Sequence, residues 1–264
     1  MQKTAIIIPC YNEARRLKHE EFVRTTNLNK QLHFLFVDDG STDETREKLA
    51  ALCKSNPSQM QWMGLTKNSG KAEAVRRGFV KAFEMDYANL GYWDADLATP
   101  LDVIPRFCKI LENQGTILVM GSRVRLLGRR IERKTPRHYL GRIFATFASL
   151  VTGLPVYDTQ CGAKIFKNSK ELRIVFGKPF HVNWTFDVEI LARLRMIERY
   201  MGTAPLVEST VEYPLEEWID VPGSKLVASD FLLGIMELWK ISWFLHAPGA
   251  ERRFDRLKNE TWSG

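Results

Sequence analysis

Five short apolar runs alternate with helical patterns over residues 4–122 of this 264-residue chain, and that alternation constrains the fold more than any other feature. Residues 4–8 (Thr-Ala-Ile-Ile-Ile) form a β-branched run that stops at Pro9. Strand-like runs follow at 33–37, 61–65, 90–93 and 116–120, and helical patterns lie between them at 13–31, 43–54, 70–86 and 103–111. Such an order predicts an α/β fold with a doubly wound, mostly parallel sheet flanked by helices. Beyond residue 123 the alternation weakens. Helices are expected at 139–152 and 186–200, strands at 163–166 and 205–213, and a mostly apolar helix at 230–247, with the last fifteen residues polar and expected to fray. At 45% hydrophobic residues the chain is too apolar for a disordered segment.

Ligands of open α/β sheets bind outside the carboxyl ends of the strands, where the strand order reverses. Polar clusters fall at three such ends: Pro9-Cys10-Tyr11-Asn12-Glu13, Asp38-Asp39-Gly40 and Asp94-Ala95-Asp96. A single Asp at a strand end is commonly a helix cap; three clusters on neighbouring strands point instead to a shared ligand. For Asp94 and Asp96 to face the same ligand the chain must turn between them. Two close carboxylates repel, so the pair calls for a cation, Mg²⁺ or Mn²⁺, held together with substrate phosphate oxygens. GxxxxGK[ST] and GxGxxG are both absent, which argues against a P-loop or a dinucleotide enzyme. The four cysteines form no CxxC pair and read as buried free thiols.

The net charge of +7 has one source. Residues 123–142 hold eight Lys/Arg and a single acid, Glu132, while the rest of the chain has 30 basic and 30 acidic residues. The segment lacks the interleaved aromatics of a nucleic-acid surface, and a phosphate or an anionic membrane fits it at least as well. Residues 139–151 and 230–247 add apolar side chains, among them Phe147, Trp239 and Trp243. In 231–245 these occupy nearly every helix face, more than one buried stripe needs. No apolar run reaches the ~18–20 residues of a spanning helix, and residues 1–10 do not read as a signal peptide. A peripheral protein at the cytosolic face of a membrane is the expectation.

The motifs IIIPCYNE (6–13), VDDGSTDET (37–45), KNSGKAEAVRRGF (67–79) and DADLATP (94–100) resemble, in order and spacing, the family 2 glycosyltransferases of the GT-A fold. MGSR (120–123), DTQCGAKIF (158–166), WTFDVEIL (184–191) and PGSKL (222–226) narrow the resemblance to polyprenyl-phosphate sugar transferases, dolichyl-phosphate β-glucosyltransferases ahead of the mannosyl enzymes. The resemblance implies a metal-dependent inverting enzyme that moves a hexose from a nucleoside diphosphate, UDP-glucose ahead of GDP-mannose, to a polyprenyl phosphate. It places Pro9, Tyr11, Glu13, Asp39, Gly70 and Lys71 at the nucleotide. Asp94 and Asp96 become the metal-binding pair, with Asp96 the direct ligand. Arg123 and Arg137 would hold the lipid phosphate, Gln160 would line the acceptor side, and Ser224 and Lys225 would sit on a loop closing over the diphosphate. Residues 1–227 then form the GT-A domain, with a nucleotide half (1–122) and an acceptor half (123–227), and 228–264 a membrane-facing amphipathic helix and polar tail. Two departures stand out: Ala98 replaces a metal-contacting Gln of some members, and residues 1–10 are not expected to act as the amino-terminal anchor of eukaryotic glucosyl members. The competing readings are transfer to a saccharide hydroxyl, with Asp187 or Glu189 as base, and a non-catalytic nucleotide-sugar or anionic-lipid module.

Overall fold

The computed structural model of the chain describes residues 1–132, 135–219 and 228–259, with side chains for all of these except 135–140 and 228–231. Strands β1 (Thr4–Cys10), β2 (Leu32–Asp38), β3 (Met60–Gly64), β4 (Asn89–Trp93) and β5 (Leu118–Ser122) form where the apolar runs predict them. Helices α1 (His19–Leu28), α2 (Thr45–Ser55), α3 (Lys71–Ala82) and α4 (Ile104–Leu111) connect them. The second half supplies β6 (Arg130–Glu132), α5 (Thr135–Thr152), β7 (Ala163–Lys167), α6 (Lys170–Gly177), α7 (Phe186–Met201), α8 (Leu206–Ser209), β8 (Thr210–Pro214), β9 (Glu217–Ile219), α9 (Ala228–His246) and α10 (Ala250–Asn259).

The main sheet has seven strands in the order β3-β2-β1-β4-β7-β5-β8. Every pairing is parallel except those of β7, which runs antiparallel between β4 and β5. β6 and β9 make a separate two-stranded parallel ribbon. The sheet is covered on both sides, as a mostly parallel sheet must be. Ile6, Ile8, Phe34 and Phe36 pack with α1, α2 and α4 on one face, whereas Ala5, Ile7, Leu35 and Val37 pack with α3, α5, α6, α7, α9 and α10 on the other.

Four local expectations need correction. α1 starts at His19 rather than residue 13, because Asn12 adopts a positive φ of 53° and the Glu13 carbonyl accepts Arg16 N and Leu17 N at 2.9 Å, closing a turn. The strand expected over 205–213 opens instead with the helical turn α8 after Pro205. α6 was not anticipated, although Ser169 caps it by accepting from Leu172 N at 3.3 Å. The polar tail does not fray through 259: α10 buries Phe254 and Leu257, and Phe254 stacks on Tyr200 at 5.3 Å.

α9 has two faces. Leu238, Ile241, Phe244 and Leu245 are buried. Glu237, only 5% exposed, accepts from Asn183 N (3.1 Å), Trp184 N (3.1 Å), Thr185 N (2.8 Å) and Thr185 Oγ1 (2.8 Å), and so caps the chain entering α7. Leu232, Leu233, Ile235, Met236, Trp239 and Trp243 lie exposed on the other face, next to exposed Ile143, Phe147 and Leu150 of α5. Among the described residues no helix is long and apolar enough to cross a membrane.

Candidate active site

The strand order reverses between β1 and β4: β2 and β3 lie on one side of β1, and β4 begins the other. A cavity of about 320 Å³ opens at the carboxyl ends of these strands. Pro9, Tyr11, Glu13, Asp39, Gly70, Lys71, Asp94 and Asp96 all line it, so the strand-end residues singled out in the first half converge on one place. Each is held by its own local device. Asp39 accepts Ser69 N and Gly70 N, both at 2.8 Å, and ties the Asn68-Ser69-Gly70 loop to the end of β2. Burial raises the Asp39 carboxyl above its ordinary pKa, and those two amides oppose the shift. Its neighbour Asp38 is fully buried, binds Arg46 Nε at 2.6 Å and caps Ser41 N at 3.1 Å, so it serves the fold.

The turn needed between Asp94 and Asp96 is present. Leu97 N bonds Asp94 O at 3.2 Å, and Leu97 takes a φ of 53°, a left-handed conformation that a branched side chain rarely adopts. Asp96 accepts Ala98 N at 3.0 Å, and its pKa is raised by burial and then by Asp94. Asp94 Oδ1 meets Lys71 Nζ at 2.5 Å. Burial alone would depress the Lys71 ammonium, but Asp94 and then Asp187 outweigh it and raise its pKa. Gly162 presses its backbone on Asp94 so closely that a Cβ there would overlap the carboxylate.

Two repelling carboxylates on an open cavity suit a hard dication. Among the described residues no cluster of three or more His, Cys, Asp or Glu forms a complete cage. Asp94 and Asp96 would therefore hold Mg²⁺ or Mn²⁺ only with oxygens from a diphosphate and water, which is how Mg²⁺-type sites at phosphates are built.

Arg123, at the end of β5, is mostly buried and forms a bidentate pair with Asp158 (Nε–Oδ2 2.6 Å, Nη2–Oδ1 2.8 Å). Its guanidinium lies 5.3 Å from the Trp218 ring centroid. Desolvation acts against its charge, but Asp158 outweighs it, and Asp94 adds to the rise. The basic segment is less bare than its composition suggests: Arg129 pairs with Glu216 (2.9 Å), Arg130 with Glu132 (2.8 Å), and Arg142 stacks on Tyr157 at 3.7 Å. Gln160 sits in the turn that carries Asp158. The side chain of Arg137, and Ser224 and Lys225 entirely, lie outside the described residues.

Asp187 and Glu189, the candidate bases, are buried and engaged. Asp187 takes hydrogen bonds from Tyr92 OH and Lys164 Nζ. Glu189 takes Arg193 Nη2 at 2.7 Å and His181 N at 2.8 Å. The four cysteines are free and buried, and burial raises the Cys161 thiol to about 11.

The family model described as glycosyl transferase family 2 matches residues 5–173. This chain is a family 2 glycosyltransferase. The glycosyltransferase is 30% identical over 267 residues to a dolichyl-phosphate beta-glucosyltransferase of Dictyostelium discoideum, covering 90% of this chain and 76% of that one. It is 29% identical over 257 residues to a dolichyl-phosphate beta-glucosyltransferase of Trichomonas vaginalis (92% and 72% covered). The crystal structure of glucosyl-3-phosphoglycerate synthase from Mycobacterium tuberculosis with Mn²⁺, uridine diphosphate and glucosyl-3-phosphoglycerate matches with a TM-score of 0.64, 14% identity, and coverage of 94% of this chain and 82% of that one. At that identity the shared property is the fold, and the glycosyltransferase has the anticipated GT-A architecture.

Proposed function

We propose that this glycosyltransferase moves a hexose, glucose ahead of mannose, from a nucleoside diphosphate to a polyprenyl phosphate, inverting the anomeric carbon. The observation that carries the reading is the pairing of carboxylates around the site. A hydroxyl acceptor needs a base. Yet Asp187 is held by Lys164 and Tyr92, Glu189 by Arg193 and His181, and Asp158 by Arg123. A phosphate acceptor is already an anion and needs orientation only. Arg123 would supply it, its guanidinium plane fixed by the bidentate pair with Asp158. The relatives named for dolichyl phosphate support the same acceptor.

Pro9, Tyr11, Glu13, Asp39 and Gly70 would seat the nucleoside, and Lys71 would stand at the diphosphate. Asp96, with Asp94, would hold Mg²⁺ or Mn²⁺, which when bound neutralises charge on the leaving nucleoside diphosphate. Ser224 and Lys225 are assigned to close over that group. Lys71, and Lys225 with it, favours the developing negative charge electrostatically. The acceptor oxygen attacks from the side opposite the leaving group, the C1–O bond to the diphosphate breaks, and no proton is moved. Arg137 would share the lipid phosphate with Arg123.

The exposed apolar faces of α5 and α9 are assigned to peripheral docking on an anionic membrane at its cytosolic face, where a polyprenyl tail keeps its phosphate. Radiolabelled transfer from UDP-glucose and from GDP-mannose to a short-chain polyprenyl phosphate, with Mn²⁺ or Mg²⁺, tests the reading. Glucose transfer with inversion is expected. Transfer only to saccharide hydroxyls would overturn it.

A further inference from the structure

Lys164 lies in β7, directly opposite Tyr92 of β4 and Met120 of β5, on a face of the sheet that is otherwise apolar. It is 0% exposed. An ammonium has three protons to donate, and Lys164 Nζ has three acceptors: Thr159 O at 2.9 Å, Cys161 O at 2.7 Å, and Asp187 Oδ1. Buried ion pairs of this kind seldom add stability over well-packed apolar side chains of the same volume, so the pair's use is sought in what it holds. Two of its three bonds go to backbone carbonyls of the 158–162 turn. That turn touches both sides of the site. At its start Asp158 grips Arg123, and at its end Gly162 O accepts Asp94 N at 3.0 Å while the Gly162 backbone packs on the Asp94 carboxylate.

We propose that Lys164 is a positioning residue: its buried ammonium clamps the 158–162 turn and thereby sets Arg123 and Asp94 relative to each other. Asp187 is the counter-charge to Lys164, and the Tyr92 hydroxyl fixes Asp187. A displacement of the turn moves the acceptor-side cation and the donor-side carboxylate independently, and misplacements of about 1 Å between reacting groups cost up to ~100-fold in rate. The inference rests on the assignment of Asp94 to the donor and Arg123 to the acceptor.

The test compares two double variants of equal charge, Lys164→Gln with Asp187→Asn and Lys164→Met with Asp187→Asn. The Gln carboxamide keeps donors for the turn carbonyls; the Met side chain fills the space without them. Melting temperature, donor KM and kcat are measured for both. Expected are a lower melting temperature for the Met pair, whose Thr159 and Cys161 carbonyls lose their donor, a donor KM within about threefold of the parent's in both, and a kcat for the Met pair about tenfold or more below that of the Gln pair. Equal kcat in two folded proteins would overturn the clamp, because the two share charge and approximate volume and differ in the hydrogen bonds to the turn carbonyls. Should the Met pair not fold, Asp158→Asn in the otherwise unchanged chain replaces it. That variant weakens the link from turn to Arg123 and is expected to lower kcat about tenfold; an unchanged kcat would overturn the proposal. If the parent transfers no sugar to polyprenyl phosphate, the acceptor assignment fails alone. The same variants are then compared in hydrolysis of the sugar nucleotide, where loss of Asp94 positioning still reads out.

Discussion

The two halves of this glycosyltransferase use their charged residues in opposite ways. Around the donor cavity, Asp39, Asp94, Asp96 and Lys71 stand at strand and helix ends, on the wall of an open pocket. Asp39 and Asp96 are held above their ordinary pKa by burial, and Asp96 also by a like charge. In the second half Lys164, Asp187, Glu189, Arg193 and Glu237 are all at most 5% exposed, and each is matched by partners. The cavity groups have partners too, Lys71 for Asp94 and two amides for Asp39, but they face an open pocket that a ligand can enter, whereas the second-half groups are enclosed and hold backbone in place. Burial of charge therefore does not by itself mark a site; charged groups with perturbed pKa values on the wall of an open cavity are the better pointer.

The strongest test of this contrast is Asp96→Ala, expected to abolish transfer and to weaken nucleotide binding in the presence of metal but much less in EDTA. Calorimetry that finds equal nucleotide affinity with and without metal in the parent would remove the metal assignment. Arg123→Ala probes the contrast at its seam, since Arg123 belongs to the second half and is paired, yet is assigned to substrate. A loss of about 2–4 kcal/mol in acceptor kcat/KM with donor affinity kept is expected. Unchanged acceptor kinetics would make Arg123 one more structural clamp. Glu237→Ala should leave the capped amides of 183–185 without their acceptor and destabilise the protein by roughly 2–3 kcal/mol, seen as a lower melting temperature. A melting temperature equal to the parent's would show that the α9 contact carries no load. Trp239→Ser with Trp243→Ser alters only exposed side chains. Binding to anionic vesicles is expected to weaken about tenfold while kcat on a water-soluble short-chain acceptor holds. Vesicle flotation equal to the parent's would assign docking to another surface.

The smallest effect concerns pH. Burial, and then the neighbouring Asp94 carboxylate, hold the folded-state pKa of Asp96 above its ordinary value of about 3.8. Between those two values the native state keeps a proton that the unfolded state has released, so stability falls as pH rises through this window. Asp96→Asn removes that cost. Without metal, the variant should melt slightly above the parent at about pH 7, with the gain vanishing below about pH 4, where Asp96 is protonated in both states. A gain of equal size at both pH values would trace it to something other than the charge.

The donor cavity was legible because parallel strands put their carboxyl ends on one edge, so local motifs such as Asp94-Ala95-Asp96 were enough to place it. The second half was less so because its determinants are long-range. Nothing near residues 163–166 says that this strand runs antiparallel between β4 and β5. Glu237 reads in sequence as an interruption of an apolar helix, and only contact with residues 183–185 shows it to be a cap. Nothing local to Lys164 announces the three acceptors that hold it. α6 did carry a local signal in Ser169, whereas the turn that delays α1 hinges on the φ of Asn12, which no pattern announces.

The central place of β7 also bears on how the chain is made. β5 pairs only with β7 and β8, so among the described elements it has no sheet neighbour from the first 122 residues. As the polypeptide leaves the ribosome, β4 presents one unpaired edge and β5 two until residue 167 has emerged. At about 5–20 residues per second that interval lasts several seconds. During it, apolar strand edges made for each other's company are open to other chains, and the nascent enzyme is at its most vulnerable to aggregation before its second half has contributed a single strand to the sheet.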